Sequence, residues 1–202
     1  AQDLRVARRE QRRAGHDTPV LARLRELGAE HEAAYLAHLQ ADPALTVISI
    51  DEGNEAGDND RDEAEVSAAA RTRAAMQRGV DVIYQGLLQA GDWQGRADFL
   101  RRVDHPDGSG SHFGAWSYEV YDTKLSRTAR GHTILQLCAY SALLTQLQGL
   151  RPAQMHVVPP GPDFAADSYR SSDFGAYFRR LERELSAFAD GPAVPTYPEQ
   201  IP

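Results

Sequence analysis

The sequence predicts an α/β fold, and three observations predict it. Apolar residues recur at three- and four-residue steps before residue 77, alternate between 81 and 124, and return to helical steps after 133. The alternating stretches are bounded by Gly, Pro and Asp, the residues that end strands and make turns. From residue 63 the order is helix, three strands in a meander, helix, strand, a single layered core with additional flanking helices.

Residues 3–13 carry Arg5, Arg8, Arg9, Arg12 and Arg13 and read as a basic helix, a solvated face ahead of a nucleic-acid contact. Thr18 and Pro19 mark the start of the next helix, as N-cap and first-turn residue. It runs to about residue 40, with Leu24, Leu27, His31, Tyr35 and His38 along one side. His31 and Glu32 invite comparison with the zinc motif H-E-x-x-H, which fails because its fifth position is Tyr35. Residues 45–50 are a short strand. The acidic stretch 51–62 lacks the ligand register of a calcium loop and reads as solvated. A helix over 63–77 ends at Gly79. Strands over 81–89 and 93–103 form a hairpin around residues 90–92, and in the second Asp98, Leu100 and Arg102 share a face. The loop 105–114 carries His105 and His112 but has the composition of a long hairpin connection. A third strand covers 116–124, and a helix over 133–147 closes at Gly149 and Pro152. Residues 155–158 form a fourth strand, and a last helix runs from about 173 to 189.

The 202 residues, 42% of them hydrophobic, suffice for one domain with a core. No apolar run approaches the length of a membrane span and no signal peptide is visible, so a cytoplasmic protein without a membrane partner is expected. The start at Ala1 and the loop-like end lead us to expect a fragment of something longer. Cys138 is the sole cysteine and reads as a buried, inert thiol; it excludes an internal disulfide and any all-cysteine cluster made by this segment alone. The formal charge of −7 argues mildly against tight nonspecific nucleic-acid binding, but many of the acids lie in one block, residues 51–65.

Of 22 basic residues one is a lysine, Lys124, two positions after Asp122. That spacing puts carboxylate and ammonium on one face of a strand, a pairing suited to metal-assisted attack on a phosphodiester. A surface ion pair of small consequence has the same spacing. On the following helix Gln136 and Tyr140 stand one turn apart and reach one point.

The stretches Gly28-Ala-Glu-His31, Gly95-Arg-Ala-Asp98, Asp122-Thr-Lys124 and Gln136-Leu-Cys-Ala-Tyr140, in that order, resemble the PD-(D/E)xK nuclease superfamily in its RecB-like members. Trp116 to Leu125 followed by Leu135 to Ser141 looks like a bacterial subgroup of RecB-like nucleases, some joined to a helicase domain. The resemblance implies a restriction-endonuclease-like core over 21–160, flanked by a basic helical segment, 1–20, and a C-terminal loop and helix, 161–202. It implies that His31, Asp98, Asp122 and the Thr123 carbonyl hold Mg²⁺ or Mn²⁺, that Lys124 is catalytic with Asp98 and Asp122, and that Gln136 and Tyr140 position DNA. The implied activity is DNA hydrolysis, exonucleolytic or end-processing, in repair or recombination, with DNA and a helicase domain as partners. The alternative is a catalytically silent nuclease-fold module that binds nucleic acid or a helicase. Several RecB-like nucleases carry an iron–sulfur cluster, for which this segment lacks the cysteines. Ala97 replaces the proline that precedes the first aspartate in the superfamily motif.

Overall fold

The computed structural model describes residues 18–50, 61–91 and 93–190, and the expected basic helix at 3–13 lies outside them. Helix α1 (Pro19–Gln40) starts where the capping signals place it: the Thr18 hydroxyl accepts from the Leu21 N–H at 3.4 Å. There follow β1 (Val47–Ser49), α2 (Arg61–Gln77), β2 (Val82–Ala90), β3 (Trp93–Asp104), β4 (Trp116–Thr123), α3 (Gly131–Gln148), β5 (Gln154–Val158), β6 (Asp167–Arg170) and α4 (Ser171–Asp190). The strand β6 was not expected. Four residues, Asp-Ser-Tyr-Arg, between a proline-rich loop and a helix carry too little alternation to announce themselves, and their pairing with β5 makes them a strand.

The six strands form one mixed sheet in chain order. Strands β1 and β2 are parallel, as are β4 and β5, and every other neighbouring pair is antiparallel. Each parallel pair is joined through a helix, α2 in the first case and α3 in the second. Both crossovers leave strands that point the same way and step in the same direction across the sheet. Right-handed connections therefore put α2 and α3 on one face. The larger core is on that side, where Met76, Ile83, Leu100, Val120, Leu137, Leu144 and Met155 pack together. A smaller core on the opposite face joins Tyr35 and Leu39 of α1 to Val82, Phe99 and Val158.

Only the second half of α1 lies on the sheet, which corrects the expected inward stripe. Tyr35 and Leu39 are buried, whereas Leu24 is exposed because the first turns of the helix have no sheet beneath them, and His38, in the last turn, is exposed on the helix side. At the other side, α3 ends on Gly149 in the left-handed region (φ 69°), a conformation glycine adopts freely. Just before it, the buried Gln148 side chain bonds both the N–H and the C=O of Tyr118, at 2.9 and 3.2 Å. This pins α3 along β4 and so fixes the helix over the end of the strand that carries Asp122. Among the described residues no helix is long and apolar enough to cross a membrane.

Candidate active site

Alternation along β4 sends Tyr118, Val120 and Asp122 to the α2–α3 side and Glu119 and Tyr121 to the other. Asp122 is completely buried, and the Lys124 ammonium stands 2.5 Å from its Oδ2. Neither carboxylate oxygen has a hydrogen bond of good geometry among the described residues, and its polar neighbours are Lys124 and the Asp98 carboxyl. Burial, with the neighbouring Asp98 carboxylate second, pushes the Asp122 pKa up to about 7 against the pull of Lys124. Buried carboxylates are normally satisfied. This one is left open, with a cation on one side.

Asp98 reaches the same place from β3. The β3–β4 ladder ends at the pair Phe99 and Tyr121, and one step further its register sets Asp98 opposite Asp122. Asp98 Oδ2 accepts from the Thr123 N–H at 3.0 Å and from the Thr123 hydroxyl at 3.2 Å. The next N–H, that of Lys124, turns the other way to the Val158 carbonyl at 3.1 Å. A strand residue sends its N–H and C=O to the same edge, so the Thr123 carbonyl also looks towards β3. The notch between β3 and β4 is thus lined by two carboxylates, one carbonyl and one ammonium.

Helix α1 contributes a residue that the sequence reading missed. The carboxyl of Glu32 is raised by burial first and by Asp98 second, and is lowered by Lys124, so it shares the field of the notch. Gln85 donates to Glu32 Oε1 at 2.5 Å, and the phenol of Tyr84, pushed up to about 12 by burial and by Glu32, hydrogen-bonds the same carboxyl. The adjacent His31 has its Nε2 3.0 Å from the Val158 carbonyl and its ring stacked near Phe164. That nitrogen donates to the oxygen that also receives the Lys124 N–H, so metal ligation through it requires giving up the carbonyl. The sequence signal for Glu32 was present in its position beside His31. Only the rotation of α1 on the sheet says which of the two faces Asp98.

Gln136 and Tyr140 meet as their spacing implies: the Gln136 amide donates to the Tyr140 hydroxyl at 3.0 Å. Burial raises the Tyr140 phenol, and Asp122 and Asp98 raise it further, which sets it at the edge of the notch. Gly95 permits the approach, since a Cβ there would lie 2.5 Å from Tyr140 Cε1.

His105, His112 and His156 have partners outside the notch. His105 Nε2 meets the Ser117 hydroxyl at 2.8 Å, and the His112 ring packs against Gly149. On the far face of β4, Glu119 accepts from the Gln154 N–H and from His156 Nε2, both at 2.8 Å, while His156 Nδ1 meets Ser168 Oγ at 2.9 Å. This line of Ser, His and Glu resembles a nucleophile with its base. His156 and Ser168 are, however, partners in the β5–β6 register, so the contact is the ordinary reach of a cross-strand pair. Cys138 is buried with Met155 Sδ at 4.0 Å, and burial raises its thiol. No protein-family model matches the chain, and no curated protein matches it.

Proposed function

We propose that this chain is a divalent-metal-dependent DNA nuclease with a restriction-endonuclease-like core, similar to the RecB-like PD-(D/E)xK enzymes that its motifs resemble. The observation that carries the proposal is the buried Asp122 carboxylate: set beside the Asp98 carboxyl, held by the chain's sole lysine, and given no hydrogen bond of good geometry among the described residues. A structural ion pair has no reason to set a second carboxyl against the first.

The donor set fits Mg²⁺ or Mn²⁺. Magnesium is commonly held by one or two carboxylates and completes its shell with water and substrate phosphate. Among the described residues no three His, Cys, Asp or Glu side chains form a cage, so water and substrate would have to supply most of the shell. Asp98, Asp122 and the Thr123 carbonyl would hold the ion, and Glu32, turned towards Gln85 and Tyr84, stands behind them. The bound ion supplies Lewis-acid polarisation of the phosphate and a water of lowered pKa.

The protein residues do the rest. Lys124, held by Asp122, presents a compact ammonium to the attacking water or to the negative charge that grows on the phosphate. Asp98, fixed by two hydrogen bonds from Thr123, keeps the second carboxylate in place without a change of rotamer. The linked Gln136 and Tyr140 present an amide and a phenol beside the notch, where they orient the nucleic acid backbone. The intact set of Asp98, Asp122 and Lys124 favours cutting over a silent binding module.

Incubation of the chain with linear DNA and Mg²⁺ or Mn²⁺ tests the reading. Cleavage that is lost in EDTA and in Lys124→Ala, with the variant's circular dichroism unchanged, supports it. Equal cleavage by wild type, Lys124→Ala and Asp122→Ala rejects it.

A further inference from the structure

Gln85 breaks the strand in which it sits. It has φ 54°, one of two positive-φ residues other than glycine among the described residues. The left-handed region is costly for any residue that carries a Cβ, and no turn is present here to require it. The β2–β3 ladder pairs Tyr84 with Phe99 and Gly86 with Ala97, and omits the pair between them, Gln85 with Asp98. The irregularity therefore lies directly across from a carboxylate of the notch.

Its consequence is visible in the side chains. Successive residues on a strand point to opposite faces. Tyr84 faces the smaller core on the α1 side, so a regular Gln85 would point the other way, into the apolar packing of α2 and α3. Instead both Tyr84 and Gln85 engage Glu32 of α1. The turned backbone also has a holder: Arg96 Nη1 donates to the Gln85 carbonyl at 3.1 Å. Beyond the break, Gly86 abuts Leu100 and Thr72 on the helix-packed side.

We infer that Gln85 is a positioning residue: its left-handed backbone turns its amide onto Glu32, and so holds the α1 carboxylate towards Asp98, the residue opposite Gln85 in the β2–β3 register. The strain is kept because a regular strand cannot present two consecutive side chains to one helix. This rests on the metal-site reading above. Partners of this kind, one step removed from a metal, change its affinity by about 10–100-fold when removed.

The test uses Gln85→Gly and Gln85→Asn, which accept a positive φ but cannot reach Glu32. Two quantities are measured on the DNA-free protein: Mn²⁺ affinity by calorimetry, and Tm in EDTA. The expected result is a Tm equal to or above wild type with Mn²⁺ affinity weakened by about tenfold. Glu32→Gln should weaken it similarly, and adding Gln85→Gly to Glu32→Gln should cost little more. A lower Tm with unchanged Mn²⁺ affinity makes Gln85 a merely structural residue and overturns the inference. If wild type binds and cuts with Mn²⁺ but both Gln85 variants bind it as tightly, the positioning role alone fails. If wild type binds no divalent ion and cuts no DNA, the nuclease reading fails and this inference with it.

Discussion

Two buried acids stand three residues apart on β4 and face opposite sides of the sheet. Glu119 has a partner for each oxygen: the Gln154 N–H and His156 Nε2. Asp122 is as deeply buried, yet its oxygens lack directed hydrogen bonds, and its neighbours are a lysine and another carboxylate. One strand and one fold thus treat the same chemistry in two ways. A carboxylate that serves the fold is satisfied by it, whereas the one in the notch is held at the expense of stability, as sites built for a ligand commonly are.

The strongest way to break the comparison is to remove the charges of the notch. Lys124→Ala and Asp122→Ala should each lower DNA cleavage by roughly 10³-fold or more, which is about the effect of losing one preorganised charge at a developing anion. Single-turnover assays at saturating Mn²⁺ check this, and activity within tenfold of wild type would remove Asp122 from the chemistry.

A second test asks whether Asp122 costs the fold what its environment implies. Its folded pKa lies above the unfolded value, 3.8 against about 7, so the folded state keeps a proton that the unfolded chain releases. Its contribution to stability is full below pH 3.8, declines as pH rises, and is lost above about 7. A shift of this size corresponds to a term on the order of 4 kcal/mol. In EDTA, Asp122→Asn should therefore gain stability over wild type between pH 4 and pH 8, as read by urea unfolding. A constant difference across that range contradicts the assigned burial cost.

Glu119 should behave in the opposite sense. Glu119→Ala leaves a buried imidazole and the Gln154 N–H without their acceptor, and should destabilise the protein by about 3 kcal/mol. Cleavage per folded molecule should remain within about twofold of wild type, since no part of the notch is touched. A loss of rate without a loss of Tm would make the Glu119 network functional instead.

A last pair of substitutions separates neighbours on α1. Glu32→Gln should reduce cleavage by about 10–100-fold, as loss of a group supporting the metal site does. His31→Gln, which can still donate to the Val158 carbonyl, should change it by less than about threefold. The reverse order, with His31→Gln the more damaging and Mn²⁺ binding lost, would place the imidazole on the metal as the family resemblance implies.

Much of this was legible in the sequence because its causes are local. Thr18 and Pro19 announce a helix start, Gly149 a helix end, and alternation from residue 116 to 123 a strand with Asp122 and Lys124 on one side. Gln136 and Tyr140 meet because one helical turn brings them together. The strand β6 was not legible, since its hydrogen bonds come from β5 and not from its own composition.

What the sequence by itself determined is therefore the elements other than β6, their order, and the residues that β4 and α3 present on a given face. The tertiary structure alone decided three things. It decided that Glu32 shares the field of Asp98 and Lys124, because the rotation of α1 depends on which of its turns meet the sheet. It decided that Gln85 turns against its strand, a backbone state no residue pattern specifies. It also decided that Asp122 meets a lysine and a second carboxyl while Glu119 meets two directed donors, because the partners of Glu119 lie 35 and 37 residues away and come into reach only when the strands pair.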